Sequence, residues 1–129
     1  MTVERLQNTK PTTERWDEVF EALSSEPRRQ LLVTLLEAPA GRRVLLPDAA
    51  VGPAESVDLP KRRLQLTHRH LPMLSERGFV DWTTDPFCAQ RGERFGEVAA
   101  VLDILQANAD ALPDHLVDGY RRFEDERGE

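Results

Sequence analysis

The stretch Leu66 to Trp82, Leu-Thr-His-Arg-His-Leu-Pro-Met-Leu-Ser-Glu-Arg-Gly-Phe-Val-Asp-Trp, decides how this chain folds. Leu71 and Leu74 mark the apolar side of a short basic helix, and Gly78 stops it. The run Phe79, Val80, Asp81, Trp82 then begins at once and alternates as a strand does. Upstream, Arg63 to Thr67 alternates polar and apolar, which is a strand signal as well as a helical start. Pro72 removes a backbone donor, at a cost of roughly 3 kcal/mol in a helix interior. The pattern predicts a helix over 63–77 kinked near Pro72, with a shorter helix starting near His68 as the alternative. In either case Leu64, Leu71 and Leu74 are expected to face inward, and Gln65, Arg69 and Met73 outward.

Working outward, Trp16, Val19, Phe20 and Leu23 fall at i, i+3, i+4 and i+7, which predicts an amphipathic helix over about 13–24 with this stripe in the core. Thr13 is its candidate cap. Ser25 reads as the N-cap of a second helix, with Pro27 in its first turn and Leu31, Leu32, Leu35 and Leu36 buried before Pro39 and Gly41 end it. Arg43 to Leu46 is a candidate strand. The run 47–60, with three prolines, has room for one helical turn at 48–51. Thr83 to Pro86 is a turn signal leading into a strand from Phe87 to Gln90. From Gly96 the helical period returns, and two terminal helices are expected.

At 129 residues the chain has the length of one domain. It contains no apolar run approaching the roughly 18 residues of a membrane span, and Met1 to Lys10 lack the apolar stretch of a leader, which predicts a soluble cytoplasmic protein. The net charge of −6 is unevenly spread. Residues 27–94 carry eleven basic against eight acidic side chains, while both flanks are acid-rich. Between Lys61 and Arg77 five basic residues meet one acid, Glu76, the local footprint that a phosphate backbone requires. Fifteen of the seventeen basic residues are arginine and two are lysine, a balance similar to that of proteins adapted to high internal salt; a GC-rich genome gives the same bias.

His70-Leu71, Leu74, Glu76, Gly78, Phe79 and Val80 together resemble the "His-Leu…Leu…Glu-x-Gly-Leu-Val" run of ArsR-like transcriptional regulators. Phe20, Leu23-Ser24, Pro27, Arg28-Arg29 and Leu32 resemble the opening of the same family, and the proline-containing form looks most like its haloarchaeal branch. The resemblance covers roughly 16–95. It implies a mainly α fold with a small β wing: a tail over 1–12, a winged helix-turn-helix over 13–95 and C-terminal dimerisation helices over 96–129. The run 47–60 departs from the family pattern, since it is where the first helix of the helix-turn-helix normally stands.

The function so implied is a DNA-binding regulator acting as a homodimer on a palindromic operator, without a cofactor and without enzymatic activity. Gln65, Arg69 and Met73 are the candidate base contacts, since Arg pairs bidentately with guanine and Gln with adenine. Lys61, Arg62, Arg63, Arg91 and Arg94 are the candidate phosphate contacts. The apolar excess after Gly96, Val98, Val101, Leu102 and Leu105, continued by Leu112, Leu116 and Tyr120, is the candidate dimer interface. The rival class is a winged-helix module that binds protein, its basic strip meeting an acidic partner.

Other chemistry fails on spacing. His68 and His70 are two apart, which on a helix separates them by about 200°, so they cannot share a metal. Cys88 has no histidine placed beside it and reads as a small buried hydrophobe in a strand, with a redox role as the lesser alternative. His115 with Asp118 makes half a metal site at best.

Overall fold

The structure, a computed structural model, describes residues 10–53, 55–118, 120 and 123–125. Helix α1 spans Thr12–Leu23 and α2 Glu26–Glu37. α1 follows Pro11 with no side-chain cap, so Thr13 stands inside the helix instead of capping it. Ser25 is extended ahead of α2, and Pro27 takes the first turn, where a missing N–H breaks no helical bond. Strand β1, Val44–Leu45, and one tight helical turn at Asp48–Ala50 follow. Between that turn and Leu59 no further helix forms among the described residues.

The decisive stretch forms one rod with an internal irregularity. An α segment, Leu59–Gln65, passes into a π turn, Leu66–His70, and on into a second α segment, Leu71–Glu76; the junction residues keep right-handed helical angles throughout. This rod, α3, is about 27 Å long at 1.5 Å per residue. It starts four residues before the expected Arg63 because Asp58 caps it, its carboxylate accepting from the Lys61 amide at 3.2 Å. The π turn is the form that the kink takes. The Leu71 amide reaches back to the Leu66 carbonyl, and Pro72 becomes an early residue of the next segment, where its missing donor costs no bond within that segment. Thr67 Oγ1 adds a back-bond to the Arg63 carbonyl at 2.9 Å.

Leu64 was expected inside on a regular period, and here the expectation fails. The wide turn inserts one residue, so Leu66, Leu71 and Leu74 share the inner face at zero exposure while Leu64 is turned out, 60 % exposed. Met73, expected outward, is half-buried against the core.

Gly78 ends α3 with φ +85°, which only glycine adopts without strain, and the Phe79 amide bonds the Leu74 carbonyl. Strands β2, Val80–Thr84, and β3, Phe87–Arg91, form an antiparallel hairpin, and β1 joins it in the order β1-β3-β2. Ala89 is the register point, opposite Trp82 on one side and Val44 on the other. At the hairpin base Gly92 lies so close to Gly78 and Val80 that a Cβ there would sit 2.5 Å from the Gly78 carbonyl oxygen.

Helix α4, Phe95–Ala107, packs back over the first two helices. It is followed by a tight turn, Ala109–Ala111, and a four-residue helix α5, Asp114–Val117. The second long terminal helix is therefore not formed over 108–118, where Pro113 interrupts the chain. Val98 and Leu102 of α4 lie in the same core as Leu31, Leu35, Leu71 and Phe79, so 95–107 is part of one packed unit with the residues before it. A separate small cluster gathers Ala109, Val117 and Phe123. Residues 1–9 of the expected tail, and 119, 121, 122 and 126–129 of the expected terminal helices, lie outside the described residues.

The expected apolar stripe of α1 is only partly in the core. Val19 is buried and Leu23 half-buried, but Trp16 is 48 % and Phe20 58 % exposed, their rings stacked at 5.4 Å. The chain is mainly helical with one small three-stranded antiparallel sheet, and no helix among the described residues is long and apolar enough to cross a membrane.

Candidate nucleic-acid interface

Most of the arginines serve the fold, and this redraws the basic island. Arg28 is buried; its guanidinium donates to the Ala22 and Glu21 carbonyls, to Ser24 Oγ and, at 2.9 Å, to His70 Nδ1. It thereby ties the end of α1 to the π turn of α3. His70 is buried as well. Its pKa is pushed down to about 4, first by burial and then by Arg28, Arg69 and Arg62, so the ring is neutral and accepts the Arg28 proton. His68 stands exposed on the outer side of α3, well apart from it.

Arg62, Arg91 and Arg94 were expected at phosphates, and all three are engaged inside the molecule. Arg62 is buried, donating to the Ala50 carbonyl and to Glu55, both at 2.6 Å. This bond braces α3 where a longer preceding helix is missing. Arg91 donates to the carbonyls of Leu35, Leu36 and Ala38 and so caps the end of α2. Arg94 bonds Glu97, Glu18 and the Arg77 carbonyl and lies over the Phe79 ring at 4.9 Å. Glu18 is the hub of that network. Buried on α1, it takes Lys10 at 2.9 Å, Arg94 at 2.7 Å and Arg77 at 3.2 Å; the Lys10 bond foremost holds its carboxyl at about 2 against the opposing cost of burial.

What remains on the outer face of α3 is compact. Lys61, Arg63, Gln65, His68 and Arg69 are exposed, and no acid separates Leu59 from Ser75 in the sequence. Arg63 lies 4.2 Å over the Phe87 ring, which steers it toward the start of β3. Lys61 and Arg69 pair with no carboxylate among the described residues. The α3 face thus keeps two of the five expected phosphate residues, Lys61 and Arg63, and two of the three expected base readers, Gln65 and Arg69, exposed to solvent.

A second surface lies on α1 and α4. Trp16, Val101 and Ile104 line an open apolar groove of about 390 Å³ whose rim carries the Arg15–Glu97 ion pair. Of the expected dimer residues, Val98 and Leu102 are in the core, Val101 is half-buried against it, and Leu112 and Tyr120 pack on the small C-terminal cluster. The Tyr120 hydroxyl donates to Glu26 and accepts from Arg29. Leu105 and Leu116 remain exposed, joined by Ile104 at 62 %, which the sequence reading had not singled out.

The Arg28–His70 pair and the Glu18 hub were not foreseen. The only trace of them in the sequence is polar residues at positions facing inward, Glu18 one residue before Val19 and His70 beside Leu71. Cys88 is buried in β3, its sulfur 3.4 Å from Thr83 Oγ1, as the reading of a small buried hydrophobe expects. No protein-family model, curated protein or solved structure matches the chain.

Proposed function

We propose that this chain is a winged helix-turn-helix DNA-binding regulator of ArsR-like type that acts as a homodimer on a palindromic operator. One observation carries the reading: α3 seats one side in the core and turns Lys61, Gln65, His68 and Arg69 together to solvent, while Arg28, Arg29, Arg62, Arg77, Arg91 and Arg94 are engaged by partners within the chain, and Arg42 and Arg43 are the exposed arginines of 27–94 outside α3. A helix about 27 Å long whose outer face carries no acid before Glu76 in its last turn suits the major groove, with Gln65 and Arg69 at base edges and Lys61 and Arg63 at phosphates. The hairpin β2–β3 takes the place of the wing in this reading. Its arginine is turned inward and its tip carries Asp85, so the helix makes the contacts.

The proposed dimer face lies on α1 and α4. Trp16 and Phe20 of α1 form an aromatic ridge beside the groove of α1 and α4, and a ridge next to a groove on one surface is what a two-fold axis needs to bury both. Two α3 helices would then meet half-sites about one DNA turn apart. Selection of duplexes from a random pool by the purified full chain tests the proposal, with enrichment of a palindrome as the expected result. An acidic protein captured in place of any duplex would support the protein-binding rival.

A further inference from the structure

We infer that Leu64 reads the 5-methyl group of a thymine in the major groove. The inference rests on the duplex-DNA reading above and names a specificity residue within it. Single exposed leucines are ordinary on protein surfaces, so exposure alone says little. The setting of Leu64 says more. The π turn takes it out of the inner face and gives that place to Leu66, leaving Leu64 60 % exposed in the first third of α3. Lys61 stands one turn before it, Gln65 beside it and His68 one turn after, all exposed. Every acid of the chain lies outside Leu59 to Ser75.

A partner for this face must offer negative charge on its flanks and a small apolar group at its centre. The floor of the major groove does so: phosphates border it, and among the base edges only thymine presents a methyl. An apolar protein surface does not complement a leucine flanked by Lys61 and Arg63, and among the described residues an open apolar groove lies elsewhere, on α1 and α4. Met73, the apolar member of the three candidate base contacts, packs against the core and is not free to meet that methyl.

The test uses the full chain and duplexes it selects from a random pool. Each thymine of the selected site is replaced in turn by deoxyuridine, which removes the methyl and nothing else. At one position in each half-site the replacement should weaken the wild type by about four-fold, the size of one buried methyl group. Leu64→Ala should bind the two duplexes equally there and keep wild-type behaviour elsewhere, and Leu64→Met should retain part of the difference. Unchanged melting of Leu64→Ala, expected of so exposed a site, shows that folding is not the cause. A wild type indifferent to every replacement, a Leu64→Ala protein that keeps the full difference, or a loss spread evenly over all duplexes overturns the inference and leaves DNA binding standing. If no duplex is enriched, both readings fall.

Discussion

Arg69 and Arg28 are both arginines of the motif-bearing helices, yet burial and partners give them opposite work. Arg69 is exposed on α3 with no carboxylate partner among the described residues, so its five donors are available to a base edge. Arg69→Ala should cost about 1 to 3 kcal/mol of specific binding and relax the preference at one base pair; titration of operator variants checks this, since a mere phosphate contact would lose affinity uniformly. Arg28 is spent on the fold, and its partner His70 gives that bond a pH signature. The folded pKa of His70, about 4, lies below its ordinary 6.5, so the unfolded chain takes up the proton first. The contribution is whole above about 6.5 and is lost as pH falls toward 4. Urea midpoints taken stepwise through that window should fall more for the wild type than for His70→Gln. Glu18, held at about 2 against an ordinary 4.5, begins to lose its contribution only at the acid end of that window, and it is present in both proteins, so the difference between them belongs to His70. Counting charges along a sequence finds the basic island but not the carbonyls and carboxylates that consume it, which is why Arg62, Arg91 and Arg94 could not be sorted from Lys61 and Arg63 beforehand.

At the scale of the element, the π turn of α3 decides which leucine is structural. In an unbroken helix Leu64 would lie near the Leu71–Leu74 face; with one residue inserted, Leu66 does. Leu66→Ala should therefore destabilise the fold by about 2 to 5 kcal/mol, whereas Leu64→Ala should stay within about 0.5 kcal/mol. Denaturant unfolding of the two proteins side by side measures the contrast, and the reverse order would mean a regular helix. The elements themselves were legible: Pro27, Gly78 and the alternation after it mark their own positions, because caps and stops are local chemistry. The π turn was not. Leu66 and Leu71 are five apart, a spacing that a regular period discards, and Pro72 announces an irregularity without saying which form it takes. The α1 stripe failed for another reason: the same i, i+3, i+4, i+7 pattern serves a core or a partner, and only packing tells Val19 from Phe20.

For the whole molecule, the proposed dimer and DNA contacts set how association and binding should respond to substitution and to salt. Ile104→Glu places a charge in the open groove without touching the core, and it should give monomers by sedimentation and abolish the advantage that a palindromic site has over a half-site of the same sequence. With Lys61 and Arg63 as the phosphate contacts of each protomer, a dimer makes four, and log K should fall against log salt with a slope of about −3.6. Lys61→Ala should reduce that slope by about 2, one contact from each protomer. At about 1 M KCl the Debye length shrinks to about 3 Å, so the acid-rich flanks no longer repel DNA. Base contacts and apolar contacts then carry the affinity, and specific binding should persist at about 2 M KCl where non-specific binding has vanished.

The stacked Trp16–Phe20 pair makes the protein its own optical gauge. Of the two tryptophans, Trp82 is half-buried against Phe87, and its surroundings belong to the fold of a single copy. Trp16 is nearly half open, and its surroundings change only if another surface covers it. Ultraviolet emission of the unlabelled chain should shift to the red on dilution as indole passes from an apolar contact into water, and Trp16→Phe should abolish the shift while the Trp82 signal stays fixed. The proposed association, and its response to salt, can then be followed in one cuvette by the colour of a single side chain.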